Sequence, residues 1–156
     1  MNARPPAEIL LVEDNPHDLE LALRALGRIS GAPTVRVARD GAEALAWVFG
    51  GAGAEATPVR RPPDAILLDI KLPAPDGIEV LRQIKSAAAT RALPVVMLSS
   101  SRETADLAAC YSLGANSYVV KPVDAGEYER AVAAVCDYWI NRNLAPSRTC
   151  PWNTSR

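Results

Sequence analysis

The sequence predicts an α/β fold in which five parallel strands, ordered 2-1-3-4-5, are covered on both faces by helices. Short apolar runs alternate five times with stretches of helical periodicity. Three of the runs, Ile9-Leu10-Leu11-Val12, Ala65-Ile66-Leu67-Leu68 and Val95-Val96-Met97-Leu98, are apolar throughout, as strands buried on both faces must be. Each run ends in polar residues, Glu13-Asp14, Asp69 and Ser99-Ser100-Ser101, at the position where open α/β sheets bind ligands. Right-handed crossovers leave few topologies for such a chain, and the flavodoxin-like, doubly wound order 2-1-3-4-5 is the common one at this length.

In chain order, Ile9–Val12 is the first strand, and Asn15-Pro16 breaks it. Pro16 suits a first helical turn because the N–H it lacks would go unbonded there. Leu19, Ala22, Leu23, Leu26 and Ile29 give the first helix one apolar side, closed by Gly31 and Pro33. Thr34–Ala38 is strand two. Asp40, with Glu43 three residues on, is the candidate cap of a helix carrying Ala42, Leu45, Ala46 and Phe49. Residues 50–63, rich in Gly, Ala and Pro, read as an exposed loop and not a domain boundary, since a strand resumes directly after them. Strand three leads through a proline-rich turn to a helix from about Gly77 to Ser86, with Ile78, Leu81 and Ile84 inward. Strand four follows, then a helix over roughly Glu103–Leu113 that ends at Gly114. Ser117–Val120 is strand five. The last helix starts near Asp124 and carries Tyr128, Val132, Val135 and Trp139 at helical spacing. The expected organisation is one domain over 1–142 and a C-terminal tail over 143–156.

Composition excludes several function classes. A chain of 156 residues holds one sizeable core. Its net charge of −1 gives no electrostatic reason to bind nucleic acid or an anionic membrane. No apolar run approaches the ~20 residues of a membrane-spanning helix, and the N-terminal residues lack an apolar signal core, so a cytoplasmic protein is expected. Roughly fifteen residues follow the last helix, too few for a helix-turn-helix module. Cys110, Cys136 and Cys150 are scattered, with no paired spacing, which favours reduced thiols over disulfides or zinc.

The predicted topology brings Glu13, Asp14 and Asp69 to one sheet edge together with Ser99 and Lys121. Three carboxylates in a confined site repel, and at least one is pushed toward protonation unless a cation joins them. Mg²⁺ prefers oxygen ligands and fits that need. Asp69 can then attack a phosphoryl group to form an acyl phosphate, with Mg²⁺ and Lys121 neutralising charge. Lys121-Pro122 offers a cis peptide that would aim the amine inward. Singly, each residue has a plainer reading. Asp69 could be a strand-end carboxylate, Glu13-Asp14 a helix cap, the serines a capping run for the fourth helix, Lys121 a solvated side chain, Tyr118 core and His17 an exposed loop residue. Their convergence favours the chemistry.

With these motifs in order, Leu11-Val12-Glu13-Asp14-Asn15, Leu67-Leu68-Asp69-Ile70-Lys71-Leu72-Pro73, Asp76-Gly77, Met97-Leu98-Ser99 and Tyr118-Val119-Val120-Lys121-Pro122, the chain resembles a response-regulator receiver domain of two-component signalling. The resemblance spans about Ile9 to Trp139. It implies that Asp69 is the phosphoacceptor, that Glu13, Asp14, Asp69 and the Lys71 carbonyl hold Mg²⁺, and that Lys121 contacts the phosphoryl group. It further implies that Ser99 is the switch hydroxyl, Tyr118 the switch aromatic and a histidine kinase the phosphodonor, so the chain phosphorylates and dephosphorylates only itself. Serine stands at the switch position where threonine is commoner, and an Ala74-Pro75 pair precedes the Asp76-Gly77 turn.

More narrowly, Glu13-Asp14-Asn15-Pro16-His17-Asp18, the long loop before strand three and Tyr138-Trp139-Ile140 resemble the single-domain regulators paired with phytochrome-type histidine kinases. That resemblance implies a bacteriophytochrome partner and a homodimer that pairs through the face of the fourth helix, fifth strand and fifth helix and a C-terminal arm, with Tyr128, Tyr138 and Trp139 the expected contacts on the last helix. One rival is a Mg²⁺-dependent aspartyl-nucleophile phosphatase or phosphotransferase of the haloacid-dehalogenase type, but Lys71 stands where that class wants a second acid. The other is a flavin or dinucleotide binder, against which the acidic turn after strand one argues.

Overall fold

The alternating pattern builds one sheet of five parallel strands, β1 (Glu8–Val12), β2 (Thr34–Ala38), β3 (Ala65–Asp69), β4 (Val95–Ser99) and β5 (Ser117–Val120), in the order β2-β1-β3-β4-β5. The structure, a computed structural model, describes residues 6–50 and 62–144. Between the strands run α1 (Pro16–Gly27), α2 (Gly41–Phe49), α3 (Gly77–Ser86), α4 (Thr104–Ser112) and α5 (Ala125–Asp137), and α5 continues into a π-helical turn over Tyr138–Arg142. Most of the expected loop at 50–63, and the tail beyond Leu144 with Cys150, lie outside the described residues. No described helix is long and apolar enough to cross a membrane.

Because side chains alternate along a strand, the sheet carries two apolar layers. Leu10, Val12, Ile66, Leu68, Val95 and Met97 pack on one face with Ala44, Val80, Leu81, Ile84 and Cys110 from α2, α3 and α4. Ile9, Leu11, Leu67, Val96 and Leu98 pack on the other with Leu19, Ala22 and Leu26 of α1 and Tyr128, Val132 and Cys136 of α5. The described thiols, Cys110 and Cys136, are free and buried. Burial, helped at Cys110 by the charges of Asp106 and Asp76, pushes them up to about 11 and about 12, so neither is a reactive thiolate near neutrality.

Aspartate and asparagine open most of the helices. The amides of His17 and Asp18 donate to Asn15 at 2.9 and 3.0 Å, and those of Glu43, Glu79 and Glu127 donate to Asp40, Asp76 and Asp124 at 2.7–2.9 Å. Glu43 returns its carboxylate to the Arg39 N–H at 2.9 Å, one residue earlier than a capping box has it. Ser99 does not cap α4. Its oxygen accepts from Ser101 N–H at 3.0 Å, and Ser101 Oγ accepts from Glu103 N–H at 3.2 Å.

Two helical faces differ from expectation. Leu23 is 39% exposed while Leu21 is buried, because α1 packs on α5 as well as on the sheet and its buried arc turns toward Ala25. In α2, Phe49 is 47% exposed and Ala42 and Ala46 face outward. There Gly41 lies so close to Pro75 that a Cβ would overlap the Pro75 carbonyl oxygen, which turns Ala44, Leu45 and Val48 inward.

Candidate functional site

Strand register explains why the site forms. Val12 pairs with Leu68, Asp69 with Leu98 and Ser99 with Val120. Glu13-Asp14, Asp69, Ser99 and Lys121 therefore leave the sheet at one level, at its C-terminal edge. Glu13 and Ser99 are fully buried, Asp69 is 5% exposed, and Asp14 is exposed. Carboxylate oxygens of Glu13, Asp14 and Asp69 lie within 4.8 Å of one another.

The ammonium of Lys121 stands among the acids. It donates to Glu13 Oε2 at 2.7 Å, to Asp69 Oδ2 at 3.0 Å and to Asp18 Oδ2 at 3.0 Å. The Lys121 N–H continues the β4–β5 ladder by donating to Ser99 O at 2.8 Å. This ladder bond aims the amine without the cis peptide expected at Lys121-Pro122; among described residues the cis peptide bond is Ala74–Pro75. Burial opposes the lysine's charge, but the hydrogen bond to Glu13 and the charges of Asp69 and Glu13 outweigh it and hold its pKa above the ordinary range. Burial lifts Glu13, the Lys121 hydrogen bond pulls it back and the Asp69 charge adds, for a net rise to about 7.

Backbone amides orient the other acid oxygens. Lys71 N–H donates to Asp69 Oδ1 at 3.1 Å, and Asn15 N–H donates to Glu13 Oε1 at 3.0 Å. The donor set is all oxygen, and burial, with the Asp69 charge adding to it, holds Glu13 above the ordinary carboxylate range despite Lys121. Both features fit a hard divalent cation.

Tyr118 lies half-buried on β5, and its hydroxyl donates to Ser101 O at 3.0 Å. Ser99, Ser101 and Tyr118 thus form one hydrogen-bonded chain from the site to β5. His17 is exposed.

Asp18 is the site residue that the sequence reading missed. The sequence places this acid in the first turn of α1, three residues past the Asn15 cap, but its reach to Lys121 depends on how α1 sits over the sheet edge. Tyr128 is a correction. It is 2% exposed, in the layer between α1, α5 and the sheet, and is not available for a dimer contact. Its hydroxyl is buried with no hydrogen-bond partner among the described residues. Trp139 is half-buried on the same layer, and its ring N–H donates to Ser117 Oγ at 3.2 Å. Tyr138 is 51% exposed and packs edge-on against Trp139 at 5.1 Å.

Comparison with known proteins agrees with this geometry. The response regulator receiver domain model matches residues 9–133. The probable methanogenesis regulatory protein FilR2 of Methanothrix harundinacea is 38% identical, over 94% of this chain and 92% of its own length. Response regulator Rcp1 of Synechocystis is 32% identical, over 93% of this chain and 97% of its own. The Mn²⁺-bound form of Rcp1 superposes with a TM-score of 0.82, over 91% of this chain and 100% of that one. The bacteriophytochrome response regulator AtBRR is 44% identical with a TM-score of 0.70, over 92% of this chain and 100% of that one. The fold, the edge cluster and the matched residues together make this chain a member of the response-regulator receiver family of two-component signalling.

Proposed function

We propose that the chain accepts a phosphoryl group on Asp69 from a histidine kinase, with Mg²⁺ bound by Glu13, Asp14 and Asp69 and by the Lys71 carbonyl, and switches a protein-interaction surface. The observation that carries this reading is a nearly buried Asp69 carboxylate grouped with Glu13 and Asp14, its Oδ2 3.0 Å from the Lys121 ammonium. An Asp69 oxygen attacks the phosphorus of a phosphohistidine. The O–P bond forms, the P–N bond breaks, and the imidazole nitrogen keeps the electron pair. Lys121 holds the phosphoryl oxygens, and a divalent cation held by Glu13, Asp14 and Asp69 would supply further charge neutralisation there. Incubation with candidate kinases and labelled ATP is the test, and hydroxylamine-sensitive label on this chain is the expected result. No transfer from any of them, with a small-molecule donor failing too, overturns the reading. The likeness to AtBRR supports a bacteriophytochrome as the kinase, and the likeness to Rcp1 supports a divalent metal at the acids.

Asp14→Ala removes a ligand without touching the core, because Asp14 is exposed. Mg²⁺ titration should show clearly weakened binding in a protein that melts like wild type. Equal binding would make the acidic cluster purely structural.

Ser99 and Tyr118 are the proposed relay. When the Ser99 hydroxyl turns to a phosphoryl oxygen it releases Ser101 N–H, and the Ser101 carbonyl that holds Tyr118 moves with it. Ser99→Ala keeps the nucleophile and the acids, so it should still accept phosphate while losing most of the phosphorylation-dependent change in partner affinity. A full affinity change in that variant breaks the relay.

The switched surface is proposed to be the α4–β5–α5 face, and the same face to pair two copies of the chain. Among described residues, Leu107, Tyr111 and Tyr138 expose large apolar area on α4 and beyond the end of α5, which supports the pairing. Tyr138→Ala should weaken self-association in sedimentation experiments without lowering phosphorylation of Asp69. Wild type that stays monomeric at the highest concentration, with and without a phosphate mimic, contradicts it.

A further inference from the structure

We propose that Asp18 is a positioning residue that restrains Lys121, competing with the phosphoryl group for the lysine's donors and so limiting how firmly the site holds it. The inference rests on the phosphoacceptor reading above. A lysine ammonium has three donors, and here all three are taken, by Glu13, Asp69 and Asp18. To contact a phosphoryl group on Asp69, Lys121 must give one up.

The three partners are not equivalent. Glu13 and Asp69 belong to the group of acids that can share a cation, and Asp18 does not. A cation held by that group would offset the charge of Glu13 and Asp69, leaving Asp18 as the acid that draws on Lys121 alone. Asp18 also stands apart in position. It comes from the first turn of α1, 103 residues away in sequence, and its side chain is 29% exposed where those of Glu13 and Asp69 are 0% and 7%. Its backbone is held independently, since its N–H donates to the Asn15 cap at 3.0 Å. The side-chain charge can therefore be removed without opening the helix. Removing it frees a lysine donor and takes a negative charge from the rim that an incoming phosphoryl dianion must cross. Both effects strengthen the hold on the phosphoryl group.

The test uses Asp18→Asn in the full chain with beryllium fluoride and Mg²⁺, followed by ¹⁹F NMR. Beryllofluoride affinity should rise about two- to fivefold, the range spanned by a partly exposed ion pair. A second readout needs neither metal nor fluoride. In EDTA, the Lys121 side-chain ammonium resonance should shift or broaden in Asp18→Asn, because one of its three acceptors has lost its charge. Unchanged or weaker affinity overturns the inference, and so does an unaltered Lys121 resonance, which would mean the acid acts as remote charge alone. Failure of wild type to bind beryllofluoride would instead overturn the phosphoacceptor reading itself.

Discussion

Asp69→Asn is expected to abolish phosphoryl transfer to the chain while leaving it folded. The amide has nearly the shape of the carboxylate but is not a nucleophile, so no acyl phosphate can form. Folding should survive because Lys121 keeps two of its three carboxylate partners, Glu13 and Asp18, and because β3 retains its apolar residues Ala65–Leu68, each at 0–1% exposure. Burial is the main cause of the rise of Glu13 to about 7 and the Asp69 charge adds to it, so removing that charge should let Glu13 titrate somewhat lower. The measurement is kinase-dependent labelling, split by hydroxylamine, together with a melting curve. Undiminished label in a folded Asp69→Asn protein would place the acceptor elsewhere and remove the basis for the roles given to Ser99 and Lys121. Lost label in an unfolded protein would say nothing of chemistry, which is why the melting curve belongs with it.

The sequence made the frame and most of the site legible because both depend on local signals. Fully buried parallel strands read as unbroken apolar runs, and helix starts are marked by Asn15, Asp40, Asp76 and Asp124. Once strand order follows, the residues just past Val12, Leu68, Leu98 and Val120 must meet. What escaped depends on how elements sit against each other. The Asp18–Lys121 bond joins the first turn of α1 to the end of β5, and no periodicity in either segment announces it. Helical spacing marks Tyr128 as apolar but does not say whether its face turns to the sheet or to a partner. Packing on α1 decides that. The π-helical turn after α5 is closed by the Asn143 N–H donating to Tyr138 O at 2.7 Å, and no residue in Tyr138–Arg142 signals that spacing in advance. Lys121 is aimed by its strand's ladder rather than by the peptide isomer that a Lys-Pro pair suggests.

A single methyl group at position 77 should cost the protein more than any other alanine substitution at a described glycine except Gly41. Gly77 opens α3, and its N–H donates to Ile70 O at 2.9 Å, so the helix start rests directly on the backbone of the phosphoacceptor loop. A Cβ there would overlap the Asp69 carbonyl oxygen and lie 2.7 Å from Ile70 Cα. These are backbone atoms at the end of the central strand, so no side chain can swing aside to make room. Gly77 has no positive φ, and the expected loss is one of contact and not of backbone strain. Overpacking costs about 1–3 kcal/mol, and more where backbone must move. For a chain of this size each kcal/mol lowers the melting temperature by about 2–4 °C. Gly77→Ala should therefore melt about 10 °C or more below wild type, taking the upper end of both ranges. Because the displaced atoms belong to Asp69, the fraction that remains folded should also accept phosphate more slowly. Gly27, at the end of α1, is the control, since a Cβ there meets nothing within 4 Å. Gly27→Ala should be neutral or stabilising by up to about 1 kcal/mol through helix propensity alone. Urea or thermal melts of the two variants decide the matter. If Gly77→Ala is as stable as Gly27→Ala, then α3 does not rest on the Asp69 loop and the loop's geometry is set from elsewhere.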